Sequence, residues 1–169
     1  MREILKPEEL EYHSYFQKYI DKVNKNPLTQ LNDQFDIYVD YIKENAERMD
    51  FRYGEGKWTI KESLIHVIDT EQIFAYRALR SCRGDKTPMA GFDQDYFVEH
   101  NDFSHISVWD ILEEFTTQRR ATISMVKKFS EEDLLKKGVA SDHDISVRAL
   151  VYMIAGHAEH HLELFKERY

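Results

Sequence analysis

The closing stretch SVRALVYMIAGHAEHHLELFKERY, residues 146–169, decides the fold. Read as a helix at about 100° per residue, it sets His157 and His161 roughly 40° apart with about 6 Å of rise between them, so both imidazoles leave one wall a turn apart. Leu150, Ile154, Leu164 and Phe165 fall within roughly 60° of that direction, while Glu159, Glu163 and Lys166 lie on the far side. The histidine pair therefore points into a core, and Glu159 is expected in solvent. His160 stands at the edge of the apolar stripe and is the weaker ligand of the three. Imidazoles taken out of water need partners, because each lost hydrogen bond costs on the order of 1–3 kcal/mol. One metal ion would satisfy two rings at once, and so would separate hydrogen bonds in a core. A third ligand elsewhere in the chain separates the readings.

Outward from this helix the pattern stays long in period. Thr59 and Glu62 form a capping box that opens a helix reaching about Ser81. It carries His66, and Glu62, Ser63, Asp69, Thr70, Ile73 and Arg77 lie within about 60° of that histidine. A histidine, a carboxylate and a guanidinium beside one large hydrophobe make a poor core stripe and a good cavity lining. An earlier helix, about Leu28 to Arg48, buries Leu31, Phe35, Tyr38, Val39 and Ile42. Ser107 caps a third, Val108 to about Phe129, with Trp109, Leu112, Phe115, Ile123 and Val126 inward and Arg119, Arg120, Lys127 and Lys128 outward.

The remaining segments are shorter. Pro7 to Val23, with Tyr12, Tyr15, Phe16, Tyr19 and Ile20 at spacings of three and four, reads as a helical strap across the bundle. Residues 83–107 are long for a plain connection; a short helix near Asp93 to His100 and a role as lid or crossover are expected, with His100 and His105 on the surface. Ser130 to Asp144 reads as a polar connection. Six glycines and three prolines in 169 residues leave few turns. The expected architecture is all-α: a four-helix bundle forming one domain over residues 1–169, with the short N-terminal strap and the partly helical crossover between helices 2 and 3. Facing helices of a bundle build sites together, so His66 could join His157 and His161 as three converging imidazoles.

Composition narrows the function. With 42% hydrophobic residues the chain is globular, and no apolar run is long enough for a membrane span. Nothing near Met1 to Leu10 resembles a signal peptide, so a cytoplasmic protein is expected. The lone cysteine, Cys82, excludes an internal disulfide and sits at a helix end among arginines, a poor place for a nucleophile. A net charge of −8 without a basic face argues against nucleic acid as a partner.

Lys57 to Asp95, with its tryptophan-led helix and HxxD element, and the closing HxxHH element resemble the DinB superfamily of DinB/YfiT-like metalloenzymes over nearly the whole chain. That resemblance implies a four-helix bundle of unusual connectivity, often a homodimer, holding a divalent ion on His66, His157 and His161. It implies several chemistries: transfer of low-molecular-weight thiols such as bacillithiol to electrophiles, a thiol-dependent isomerisation, or metal-dependent hydrolysis.

Three neutral imidazoles leave a coordination position free, the pattern of a catalytic site. Nitrogen donors accept zinc, nickel or iron(II). The free position would take a water or a thiol and lower its pKa toward neutrality. A small-molecule substrate is expected, with S-transfer the first reading and hydrolysis the alternative. Asp69, one turn past His66, is a candidate proton acceptor or anchor, or else an ion-pair partner of a base such as Arg77. The zincin HExxH pattern is absent, since Ala158 follows His157. A non-catalytic bundle with a structural ion, or none, is the remaining class.

Overall fold

Each long helix begins where a side chain can satisfy its first free backbone N–H groups. In the structure, a computed structural model describing residues 2–169, the strap comes first: single 3-10 turns at Glu9–Glu11 and Ser14–Phe16, then the one-turn helix α1 (Gln17–Ile20). It is broken where one helix was expected. Asn26 caps α2 (Pro27–Glu44), accepting from the Leu28 amide at 3.0 Å, with Pro27 in the first turn where its missing N–H is harmless. The expected Thr59–Glu62 box opens α3 (Ile60–Cys82): the Thr59 amide donates to Glu62 at 2.6 Å and the Glu62 amide to Thr59 Oγ1 at 3.1 Å. The crossover carries α4 (Gln94–Glu99), and Ser107 with Asp110 caps α5 (Val108–Val126).

After α6 (Glu131–Leu135) the polar connection is a β-hairpin, β1 (Lys137–Ala140) paired antiparallel with β2 (His143–Ser146). Its turn residues Ser141 and Asp142 have φ of 52° and 65°, the left-handed pair that a two-residue hairpin turn requires. Met89 of the crossover is stitched to the hairpin, donating to the Val139 carbonyl and accepting from the Ser141 amide, both at 2.9 Å. Ser146 then caps α7 (Val147–Arg168).

Helix α7 packs against α2 and α3, and α5 packs against the same two. The order around the bundle is therefore α2, α5, α3, α7. Of the long helices consecutive in sequence, α2 with α3 and α5 with α7 stand across the diagonals, while α3 and α5 pack side by side. No helix among the described residues is long and apolar enough to cross a membrane.

Two expectations for α5 are corrected. Trp109, expected inward, is 65% exposed in the first turn. Arg119, expected outward, is fully buried: its Nε donates to both Glu71 oxygens at 3.1 and 2.9 Å, and one terminal nitrogen donates to the Leu31 carbonyl at 3.1 Å. One side chain thus ties α5 to α3 and α2. Arg119 stands one turn from both Phe115 and Ile123, in the centre of the buried stripe, so charge had to follow geometry inward and find a counter-charge there.

The strap is fastened to α7. Arg148 Nε donates to Glu11 at 2.7 Å, and the Tyr152 hydroxyl donates to the Ile4 carbonyl at 2.9 Å. At Gly156 the strap backbone lies directly on the helix: a Cβ there would sit 1.9 Å from the Tyr19 carbonyl oxygen. Gly156→Ala must therefore lift the strap, an overpacking cost of about 1–3 kcal/mol. A lowered Tm and faster proteolysis within residues 12–23 are the expected readings.

Candidate metal centre

Helix α3 supplies His66 from its second turn, and α7, packed beside it, supplies His157 and His161. The three rings meet. Their ligand nitrogens all lie within 4.8 Å of one another, and His66 Nε2 is 3.0 Å from His157 Nε2. All three residues are buried. Among the described residues, the rings make no protein hydrogen bond except the one between His66 and His157. With one hydrogen bond among them, the three imidazoles keep ring nitrogens free for a ligand from outside the chain.

The donor set fits a divalent transition ion. Two nitrogens about 2.0–2.1 Å from one ion at tetrahedral or octahedral angles are roughly 2.9–3.4 Å apart, which brackets the His66–His157 spacing. Burial holds the rings neutral, as ligation requires. It pushes the His66 pKa down to about 4, with the nearby His160 adding to the effect. His157 and His161 are driven well below the usual histidine range, again chiefly by burial.

Aromatic rings wall the triad. Trp58 packs 4.9 Å from His66, Tyr19 meets His157 edge-on at 5.2 Å, and Phe165 stands 6.3 Å from His161. The strap residue Tyr19 is thus part of the site, which the sequence pattern did not reveal. Its three-and-four spacing is equally that of packing; the one available signal was Gly156 beside His157, a small residue where something must approach closely.

Two cavities flank the triad. One, about 320 Å³, is reached by His66, His160 and His161 and bordered by Trp58, Lys18 and Lys57. The other, about 460 Å³, is reached by His157 and lined by Thr70, Phe74, Arg77, Phe92 and Asp93. Tyr15, Tyr19 and Gln94 stand between them, lining both. The crossover and the strap therefore form the roof of the site. The mixed face of α3 does line cavities: His66 opens on the first, Thr70 and Arg77 on the second.

The other candidates lie elsewhere. Asp69 lines neither cavity; burial, and then Glu114 of α5, raise its pKa to about 6. It forms no ion pair with Arg77, which donates instead to the Ala90 carbonyl at 2.7 Å. Because its native pKa exceeds the ordinary carboxylate value, Asp69 adds stability below about pH 4 that is lost as pH rises through about 6. Asp69→Asn is expected to stabilise the fold at pH 7 by about 1 kcal/mol, the shift being discounted because the carboxyl is partly solvated. The gain should vanish at pH 4 in paired thermal melts.

Glu159, expected in solvent, is half-buried against α2, accepting from Gln34 Nε2 at 2.7 Å and Gln30 Nε2 at 3.2 Å. Cys82 is buried, and burial raises its thiol pKa, as suits a packing residue. His100 and His105 are exposed.

The sequence matches the DinB superfamily over residues 28–165, which takes in all three histidines and the four long helices but for Pro27 and the last three residues of α7. The chain belongs to the DinB superfamily. A relative from Oceanobacillus iheyensis, named "Putative metal-dependent hydrolase OB0413", is 26% identical over 153 residues, covering 86% of this chain and 87% of that protein. Among solved structures, YfiT from Bacillus subtilis superposes with a TM-score of 0.71 at 16% identity, over 96% of this chain and 90% of its own. YfiT is described as a probable metal-dependent hydrolase with an unusual four-helix bundle topology. At that identity the likeness concerns the fold.

Proposed function

We propose that the protein is a metal-dependent S-transferase that joins a low-molecular-weight thiol to an electrophilic small molecule. The observation that carries this reading is the pair of cavities flanking one triad: hydrolysis needs room for one organic substrate, whereas transfer needs room for two. His66, His157 and His161 would hold zinc, nickel or iron(II). Such an ion, when bound, would lower the pKa of a coordinated thiol toward neutrality.

The chain's own groups do the rest. Lys18 and Lys57 make the rim of the smaller cavity positive, favouring an anionic thiol there. His160 borders that cavity, and burial lowers its pKa, so its imidazole is free to accept the thiol proton at neutral pH. Trp58, Tyr19 and Phe165 keep bulk water from the histidines. In the larger cavity, Phe16, Phe74 and Phe92 receive the electrophile beside His157.

The test is a panel of thiols against monobromobimane and 1-chloro-2,4-dinitrobenzene, with metal-stripped protein reloaded separately with zinc, nickel or iron(II). Conjugate formation that needs both the metal and one particular thiol is the expected result. A metal-loaded protein that instead cleaves amides or esters with no thiol present is a hydrolase, the second reading, which the name of the Oceanobacillus iheyensis relative favours.

A further inference from the structure

Three arginines are buried among the described residues, and two have a counter-charge: Arg119 rests on Glu71 and Arg148 on Glu11. Arg77, 4% exposed, makes no ion pair. One of its terminal nitrogens donates to the Ala90 carbonyl at 2.7 Å and to the Ser141 hydroxyl at 3.4 Å; Nε and the other terminal nitrogen have no protein partner. Setting a guanidinium into a protein without an anion is costly. Arg77 lines the larger cavity, which His157 also reaches. A buried cation with an unused edge on a cavity wall is complementary to an oxyanion.

We infer that this cavity binds a monocarboxylate with an aromatic or short alkyl body, its carboxylate gripped by the free edge of the Arg77 guanidinium. The body is specified by Phe16, Phe74 and Phe92, which supply the apolar walls. The single charge follows from Arg77, the one Lys or Arg side chain among the lining residues, which balances one negative charge and not the two of a dianion such as phosphate. The length follows from Phe74, whose ring lies 6.4 Å from the His157 imidazole and 6.0 Å from Arg77 Cζ. An acid built of one ring and a short linker spans from the guanidinium to the triad. That this acid is the electrophile rests on the S-transferase reading; that it binds does not.

Calorimetry with sodium 3-phenylpropionate, 3-phenylpropanol and inorganic phosphate, on zinc-loaded and metal-free protein, tests this. The acid should bind about tenfold or more tighter than the alcohol, as a charge-assisted hydrogen bond requires. Phosphate should not displace it. Arg77→Gln, which keeps an amide for the Ala90 carbonyl, should lose about tenfold or more in affinity for the acid and nothing for the alcohol. Arg77→Gln should also leave Tm unchanged or raised, because it removes an uncompensated charge; a purely structural arginine would lower it.

Failure of the acid to bind, equal affinity for acid and alcohol, displacement by phosphate, or an Arg77→Gln protein that binds as the parent does would each overturn the inference. Acid binding of this pattern in a protein that takes up no metal would remove the S-transferase reading and leave this one standing. Metal-dependent thiol conjugation without preference for the acid would do the reverse.

Discussion

His157→Ala is expected to weaken zinc binding by about a hundredfold or more, since even partners that merely orient metal ligands are worth about 10- to 100-fold. His157 is the middle tooth of the site: its Nε2 stands 3.0 Å from that of His66, and its ring centre is 4.6 Å from that of His161. The metal-free variant should keep its fold. It loses ring packing against Tyr19 and Phe74 but no longer takes an imidazole out of water, and these effects oppose each other. The decisive comparison is thermal. Zinc at about 100 times its Kd should stabilise the parent by about 2.7 kcal/mol and the variant hardly at all. An equal rise in Tm for both proteins, or a parent that takes up no zinc, nickel or iron(II), would dismantle the three-histidine site.

Glu71→Ala should cost about 3–5 kcal/mol, because it strands the fully buried Arg119 without its anion. The loss should be global, since Arg119 also donates to the Leu31 carbonyl and so links α2, α3 and α5. Urea titration should show a lower midpoint with an unchanged slope. Replacing both partners, Glu71→Leu with Arg119→Met, should recover most of the stability, as buried pairs exchanged for apolar groups often do. If the double variant is no better than Glu71→Ala, the pair is not the unit of stabilisation.

The long helices were legible because each signal was local. Thr59 with Glu62, Ser107 and Ser146 are caps within four residues of what they cap, and the apolar stripes repeat every turn. The triad was legible for a related reason: His157 and His161 are one turn apart on one helix, and the mixed polar face around His66 announced a cavity. What stayed hidden depended on distant partners. Nothing near Arg119 says that Glu71 awaits it, and nothing near Glu159 says that Gln30 and Gln34 will reach it. The hairpin was missed because its turn is Ser141–Asp142 rather than the usual asparagine–glycine pair. The place of Tyr19 in the site could be seen only once Gly156 had brought the strap down onto α7.

The diagonal placement of consecutive helices bears on how the protein matures on the ribosome. Had neighbours in sequence paired, α2 and α3 could form a helical hairpin as soon as both emerged. Here α3 has its histidine ready early, but the other two arrive with the final helix, 91 residues after His66 in the case of His157. Helices α2 and α3 can settle only once α5 has come between them, and α7 completes the bundle last, so contacts between distant segments slow a helical chain. A nascent chain synthesised only through α5 holds one imidazole of the three and has nothing with which to chelate an ion. Were the three histidines to hold a cation, loading would be deferred until synthesis had passed His161, and an incomplete product would not sequester scarce metal.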